Sequence, residues 1–355
     1  MQFGVIGCGR ISQIMHLPNL DEIPDTTIHA IADPAENLLE SMGEKYRVPH
    51  RYRDGTELID DLSDELDAVV IATPPQVHRE VAVAALETGL HTLVEKPLAL
   101  TEEDANALVD AAEGSDAVAM VGYMKRHDPT YLLMKEKVDD LKTINNVTGT
   151  LVLGQHDEVI DEVYDLVPAE LGSEFLEASG TARYEQASQA IGTDDADLTA
   201  HYQSHLGGSC HDLSALRGLL GDIDRIEYVD LHSDYDVLNA YLVFEGDIRC
   251  QFTSSFNDRK EWEEFIRVET PEETLTLDFT NPYVKNDPFS LHIKGGVDRL
   301  EDRTIRVSYE ESFKCEIEHF VACINDDAEV MTTFREGRDD VAGFIEMFRM
   351  YLEDR

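Results

Sequence analysis

The stretch HTLVEKPLAL, residues 91–100, is mostly apolar, yet it carries Glu95 and Lys96 side by side and then Pro97. A buried strand has little use for an ammonium unless the charge is aimed at something. Pro97 bars the strand from continuing, so Lys96 stands at its carboxyl end, where ligands sit in open α/β sheets. An ammonium there can hydrogen-bond a substrate hydroxyl or carbonyl oxygen and stabilise developing alkoxide charge. Glu95 would help to hold it. An ordinary strand-end ion pair is the competing reading, and this segment alone does not separate the two. A cis Lys96–Pro97 bond is open to an X-Pro pair but cannot be read from sequence.

A second pattern lies at the start of the chain. GVIGCGRIS places Gly7, Gly9 and Ser12 as G-x-G-x-x-S directly after a strand-like run, with Arg10 and Ile11 inside the turn. The first glycine permits the tight turn, and the second lets a pyrophosphate approach the backbone. The third position must be small for helix and strand to pack. The helix that follows offers N–H groups and a positive dipole end to phosphates. Asp33 ends the next strand twenty-one residues after Ser12. A carboxylate there can accept from both ribose hydroxyls and repels a 2′-phosphate. No arginine follows it nearby, so NAD is favoured over NADP.

These groups need a scaffold. Up to Gly122 the sequence alternates β-rich runs (Gln2–Ile6, Thr27–Ala32, Ala68–Ala72, His91–Val94, Ala117–Val121) with helical segments (Ile11–Leu20, Ala35–Tyr46, Gln76–Gly89, Thr101–Glu113). Thr101 with Asp104 reads as a capped helix start. Such alternation predicts a Rossmann-type, doubly wound parallel sheet over residues 1–122. Beyond residue 123 a series of strands separated by short turns predicts an α+β domain, 123–355, with a large, mainly antiparallel sheet. In VLNAYLVF, residues 237–244, both parities are apolar. One face would pack on the domain's own helices and the other on a second subunit or an intrachain cover. Helices are expected again over 316–355. The stretch 155–200 carries twelve acids and one base, Arg183. It reads as an acidic helical or loop insertion over the second domain.

Composition narrows the class of protein. The chain has 355 residues, 42% of them hydrophobic, and its start shows no charged-then-apolar leader, so a cytoplasmic protein is expected. Five cysteines without a C-x-x-C spacing predict reduced, mostly buried thiols. Acids outnumber bases by 73 to 29, for a formal net charge of −44. That balance excludes nucleic-acid and anionic-membrane partners, because such a surface repels phosphates. The acids are spread along the chain, as in cytoplasmic proteins of salt-accumulating halophiles.

GVIGCGRIS, HLPNL, IADP, IATPPQVHREVAVAALETGLHTLVEKPLAL and VGYMKRHDPTY, in this order and spacing, resemble the glucose–fructose oxidoreductase/inositol dehydrogenase family, called Gfo/Idh/MocA. The resemblance is strong in the first 130 residues and thin between 155 and 200. It implies a loop passing the cofactor at Thr73, Pro74 and His78, although His78 also suits a solvated first helical turn. It implies a substrate pocket near Tyr123 and Lys125, where a surface ion pair is an equal reading of Lys125. The family's catalytic histidine falls on His211 in LGGSCHDLSALRGLLG, but Gly207 stands where the family has an aspartate. His205, Asp212 or Ser214 are the candidates to compensate. Without the resemblance, His211 reads as a hydrogen-bonded histidine at a helix start. No metal site is expected: His201, His205 and His211 lack a supporting carboxylate spacing, and Gly207–Gly208 should interrupt the helix. Trp262 reads as core.

The implied activity is an NAD-dependent dehydrogenase acting on a secondary alcohol of a sugar, cyclitol or related polyol. Lys96 orients the hydroxyl and His211 takes its proton. A homodimer or homotetramer through the second sheet is expected. Two alternatives stay open: a glycoside-cleaving enzyme using transient oxidation, and a non-catalytic nucleotide-sensing regulator. An acidic cover over the substrate side would disfavour a highly anionic substrate.

The charge yields one direct expectation. Self-repulsion destabilises the compact state at low salt and is screened as the Debye length falls from about 10 Å at about 0.1 M to about 3 Å at about 1 M. The thermal midpoint should therefore climb steadily with KCl over that range. A midpoint that is flat or falling with salt would contradict this reading of the surface.

Overall fold

The structure is a computed structural model and describes residues 1–154, 160, 162–232, 234 and 236–353. The chain divides into two compact units. The first is Met1–Tyr123 with Asp161–Ala190 and Glu316–Ala342; the second is Met124–Ile160, Ile191–Cys315 and Gly343–Arg355.

In the first unit six strands form a sheet: β1 (Gln2–Ile6), β2 (Thr27–Ala32), β3 (His50–Tyr52), β4 (Ala68–Ile71), β5 (His91–Glu95) and β6 (Ala119–Gly122). All pairs are parallel, in the order β3-β2-β1-β4-β5-β6. The order reverses between β1 and β4, which opens a ligand crevice beyond their carboxyl ends. β4 is buried throughout and β1 along four of its five residues, as strands covered on both faces must be. The crossovers run through α1 (Leu17–Glu22), α2 (Glu36–Lys45), α3 (Gly55–Leu62), α4 (His78–Glu87) and α5 (Glu102–Glu113). The Thr101 side chain caps α5 by accepting from Asp104 N at 3.0 Å.

Two segments that the sequence reading placed with the second half belong to the first unit. The helix α9 (Ser312–Asn325), numbered in chain order, brings Ile317 and Phe320 into the core of Phe3, Val5, Leu93 and Met120. Phe3 and Phe320 have ring centroids 6.3 Å apart. Thr332 then lies along β6: Val121 N donates to its carbonyl, and its hydroxyl donates to Val121 O, both at 2.8 Å. Apolar burial on the sheet face therefore holds this part of the C-terminal region. The second relocated segment is the acidic one. Residues 155–159 and 161 of the expected insertion lie outside the described residues, whereas α7 (Ser173–Ile191) is a long helix.

The second unit is built on eight strands: β7 (Asn146–Leu153), β8 (Ile223–His232), β9 (Val237–Phe244), β10 (Ile248–Phe256), β11 (Trp262–Glu269), β12 (Glu273–Asp278), β13 (Ser290–Gly295) and β14 (Glu301–Ile305). Their order is β14-β13-β12-β11-β7-β10-β9-β8, antiparallel except for the β7/β10 pair. One face carries Leu238, Ala240, Leu242, Phe252, Ile266 and Leu275, all buried under helices. Those helices are α6 (Pro129–Asp139), α8 (Ala196–Leu220) and the end of α10 (Phe334–Glu353). Gly149 lets α8 close onto β7, since a Cβ there would sit 2.8 Å from Leu216 Cδ1. The opposite face is polar in register, with Tyr241, Gln251, Thr148, Arg267 and Thr276 across neighbouring strands.

Candidate active site

Gly7 adopts φ +98° where β1 ends, and a Cβ there would lie 2.5 Å from Ala72 O, so only glycine fits. A Cβ on Gly9 would meet nothing, which leaves room against the backbone of the turn. Ser12, fully buried, turns its hydroxyl back to Gly7 O at 2.5 Å. The serine thus closes the turn where glycine or alanine would merely be small. Arg10, exposed, and Ile11, half-buried, open the first helical turn.

Asp33 is buried and bridges two backbone donors, Cys8 N to Oδ2 and Ala35 N to Oδ1, each at 2.8 Å. Burial pushes its carboxyl up from the usual range, and the two N–H bonds work against that. The expectation of no nearby arginine needs correcting. Arg53, twenty residues on, donates to Pro34 O at 2.9 Å and pairs with Glu36 at 3.9 Å. The β2–β3 pairing brings it there, which linear spacing cannot show.

Glu95 ends β5 buried, and its carboxylate has two tasks. Oε1 meets His16 Nε2 at 2.8 Å, and Oε2 accepts from Lys96 N at 3.1 Å. Burial alone would raise this carboxyl, but the His16 bond, His16 itself and Lys96 hold it below the usual glutamate range. Glu95 therefore grips the backbone of Lys96 and ties β5 to the helix behind the glycine turn. Lys96 is half-buried, and the Lys96–Pro97 bond is cis. His16 was missed by sequence reasoning; its signal was its place in HLPNL.

His78 is neither solvated nor open to a ligand. It is fully buried, with Nε2 at 2.8 Å from Thr73 O and Nδ1 at 3.2 Å from Leu98 O. Burial lowers its pKa against the pull of these carbonyls. It staples the Thr73–Pro74 loop to the segment after Pro97. Pro74 is exposed, and Thr73 Oγ1 is buried with no hydrogen-bond partner among the described residues. A dinucleotide fits these observations: open space at Gly9, a partly used acceptor in Asp33 and an unsatisfied hydroxyl at Thr73.

The acidic segment attaches here, not over the second unit. Gln13 exchanges two 3.0 Å bonds with Val167, Asn37 donates to Pro168 O at 2.8 Å, and Gln76 donates to Ser179 Oγ at 3.0 Å. These anchors lie just beyond the carboxyl ends of β1, β2 and β4. The segment is a strap across that end of the sheet, so its acids give no argument about substrate charge.

In the second unit α8 runs unbroken through Gly207–Gly208, against expectation. Asp195 caps it, and buried Leu198, Tyr202, Leu206, Leu213 and Leu216 bind it to the sheet. Gly208 allows close approach, since a Cβ would lie 3.0 Å from Phe256 Cζ, whereas a Cβ on Gly207 would meet nothing. His211 is half-buried. His205, about 120° away around the helix, is fully buried, with Nδ1 at 2.9 Å from Ser254 Oγ and its ring against Phe256. It is a core histidine, and Ser214 is equally buried. Neither stands in for the missing aspartate.

Asp212 is also committed elsewhere. Lys125, expected at a pocket or on the surface, is buried between Asp212, at 3.2 Å, and Glu264, with the Phe279 ring centroid at 4.8 Å. Trp262 donates its indole N–H to Glu264 Oε2 at 3.1 Å, so it is more than core filling. Burial would depress the Lys125 ammonium, but the two carboxylates outweigh it and raise it. Asp212 is pushed well above the usual range by burial and by Glu264. Tyr123, the last residue of the first unit's opening segment, is fully buried.

The ion cluster sets an expectation. Lys125→Met leaves two carboxylates buried without their cation and should lower the unfolding free energy by about 3–5 kcal/mol in urea. Asp212 behaves differently, because a raised folded pKa stabilises while the group stays protonated and is lost as pH climbs through that value. Asp212→Asn, neutral throughout, should gain on the wild type as pH rises from about 4 to about 8. Parallel stability curves would contradict the raised pKa of Asp212.

Comparison with known proteins now places the chain. The sequence profile of the oxidoreductase family, NAD-binding Rossmann fold, matches residues 1–123. The myo-inositol 2-dehydrogenase of Thermotoga maritima is 35% identical over 140 residues, 39% of this chain and 41% of that protein. Inositol 2-dehydrogenase 2 of Saccharopolyspora erythraea is 30% identical over 65% of this chain and 66% of its own length. The chain thus aligns with less than half of the first relative's length. In fold, levoglucosan dehydrogenase in complex with NADH superposes with a TM-score of 0.77 over 100% of this chain and 97% of that one, at 18% identity. Among the described residues no helix is long and apolar enough to cross a membrane. Residues 1–123 thus carry the NAD-binding Rossmann segment of the Gfo/Idh/MocA oxidoreductase family.

Proposed function

We propose that the protein oxidises a secondary alcohol of a sugar, cyclitol or related polyol to the ketone, with NAD as acceptor, in a salt-rich cytoplasm. The observation that carries the reading is Lys96, held at the carboxyl end of β5 by the Glu95 grip on its own N–H. Bound NAD supplies the hydride acceptor. Gly7, Gly9, Arg10 and Ile11 form the phosphate turn; Asp33 serves the adenosine ribose and disfavours a 2′-phosphate; Thr73 and Pro74 form the passing loop. Lys96 donates to the reacting oxygen and lowers the cost of alkoxide charge. His211 accepts the hydroxyl proton, as a neutral imidazole can near working pH. The strap anchored on Gln13, Asn37 and Gln76 slows cofactor release. The names of the two inositol dehydrogenases support the substrate class. The polar face of the second sheet is the proposed surface for a homodimer or homotetramer.

The test is incubation with NAD in about molar KCl against cyclitols, aldoses and glycosides, reading nicotinamide absorbance and product mass together. Reduced cofactor with a ketone is expected. Glycoside cleavage without lasting reduction would favour transient oxidation, and silence on both would favour a regulator. Lys96→Ala should lose about 10²–10³-fold in turnover while NAD affinity changes little. A variant that keeps most of its rate would make Lys96 structural and end this assignment.

A further inference from the structure

Outside the cofactor turn, the first unit gathers two histidines and a glutamate that the sequence reading did not connect. His29 lies on β2, His50 opens β3 and Glu65 follows α3. The imidazole centroids are 4.7 Å apart at 45°, and His29 Nε2 lies 3.4 Å from Glu65 Oε2. One ligand atom from each of the three falls within 4.8 Å of the others. A tetrahedral zinc site with bonds of about 2.0–2.2 Å spaces its ligands about 3.4 Å apart. The His29–Glu65 pair already has that spacing. The remaining gaps close by about an ångström through side-chain rotation, which exposures of 21% at His29 and 58% at Glu65 leave room for.

We propose that His29, His50 and Glu65 form a binding site for a divalent transition metal, zinc above all. Two imidazoles and one carboxylate select zinc, cobalt, nickel or copper over magnesium and calcium, which prefer all-oxygen shells. Water completes the tetrahedron. The placement gives the ion a structural task. β3 is an edge strand joined to β2 through three residue pairs, Ala30↔His50, Ile31↔Arg51 and Ala32↔Tyr52. A metal held by β2, β3 and the segment after α3 cross-links that short edge to β2, the strand that leads into Asp33. The ion takes no part in the proposed redox chemistry, so this inference stands whether or not the dehydrogenase reading does.

The experiment uses the full chain, stripped with a chelator, in KCl with excess Mg²⁺ to occupy the exposed acids. Zn²⁺ is titrated against a chromophoric competitor, and Co²⁺ serves as a spectroscopic probe of geometry. One Zn²⁺ per chain is expected, with tetrahedral Co²⁺ absorption and a thermal midpoint raised by zinc. His50→Ala and Glu65→Gln should each weaken zinc at least tenfold and abolish the midpoint rise. Metal-free circular dichroism matching the wild type shows that the loss is not unfolding, and Glu65→Gln, at an exposed position, serves if His50→Ala fails to fold. No stoichiometric uptake, or uptake equal to wild type in a folded variant, would overturn the site.

Discussion

A buried carboxylate organises the candidate chemistry. Glu95 carries charge in the interior of the first unit, which costs several kcal/mol unless partners compensate. Its partners are the His16 ring and the Lys96 N–H, so the compensation fixes the backbone of the lysine to which the proposal gives the substrate oxygen. One oxygen faces the helix behind the phosphate turn and the other faces the lysine. The two elements are thereby locked in register through the lysine's backbone N–H. His78 extends the lock by joining the Thr73 carbonyl to that of Leu98. The strand end, the passing loop and the turn form one rigid frame, as a preorganised site requires.

The second unit solves a different problem with the same means. Lys125 sits between Asp212 and Glu264 in the interior, giving two carboxylates to one ammonium. Burial and the neighbouring Glu264 push the Asp212 carboxyl well above the usual range. The cluster anchors α8 from within at the residue next to His211. The helix therefore presents His211 with its neighbours on both sides already committed, Asp212 to the ion cluster and Cys210 to the core.

The legible part of the fold was the part written in local pattern. Strand–turn–helix alternation, the glycines at 7 and 9, Asp33 and the Lys96–Pro97 punctuation all depend on neighbours in sequence. What stayed hidden depends on long-range pairing. Glu264 reaches Lys125 from 139 residues away, and Arg53 arrives beside Pro34 only because β3 pairs with β2. The acidic segment looked like surface because its anchors are scattered amides on Gln13, Asn37 and Gln76. Gly207–Gly208 looked like a break because the propensity cost of two glycines is local, whereas the packing of Leu206 and Leu213 that outweighs it is tertiary. The family resemblance set His78 beside the cofactor and offered His205 in place of the missing aspartate, and burial gave both structural tasks.

The central claim is that a carbon-bound hydrogen leaves the alcohol as hydride and enters the nicotinamide. It is tested most directly by offering the protein NAD and polyols deuterated at each carbinol carbon, then weighing the reduced cofactor. The account predicts deuterium in the nicotinamide ring from one labelled position, and its loss in Lys96→Ala at saturating NAD. Product formed with no label ever reaching the cofactor would contradict it.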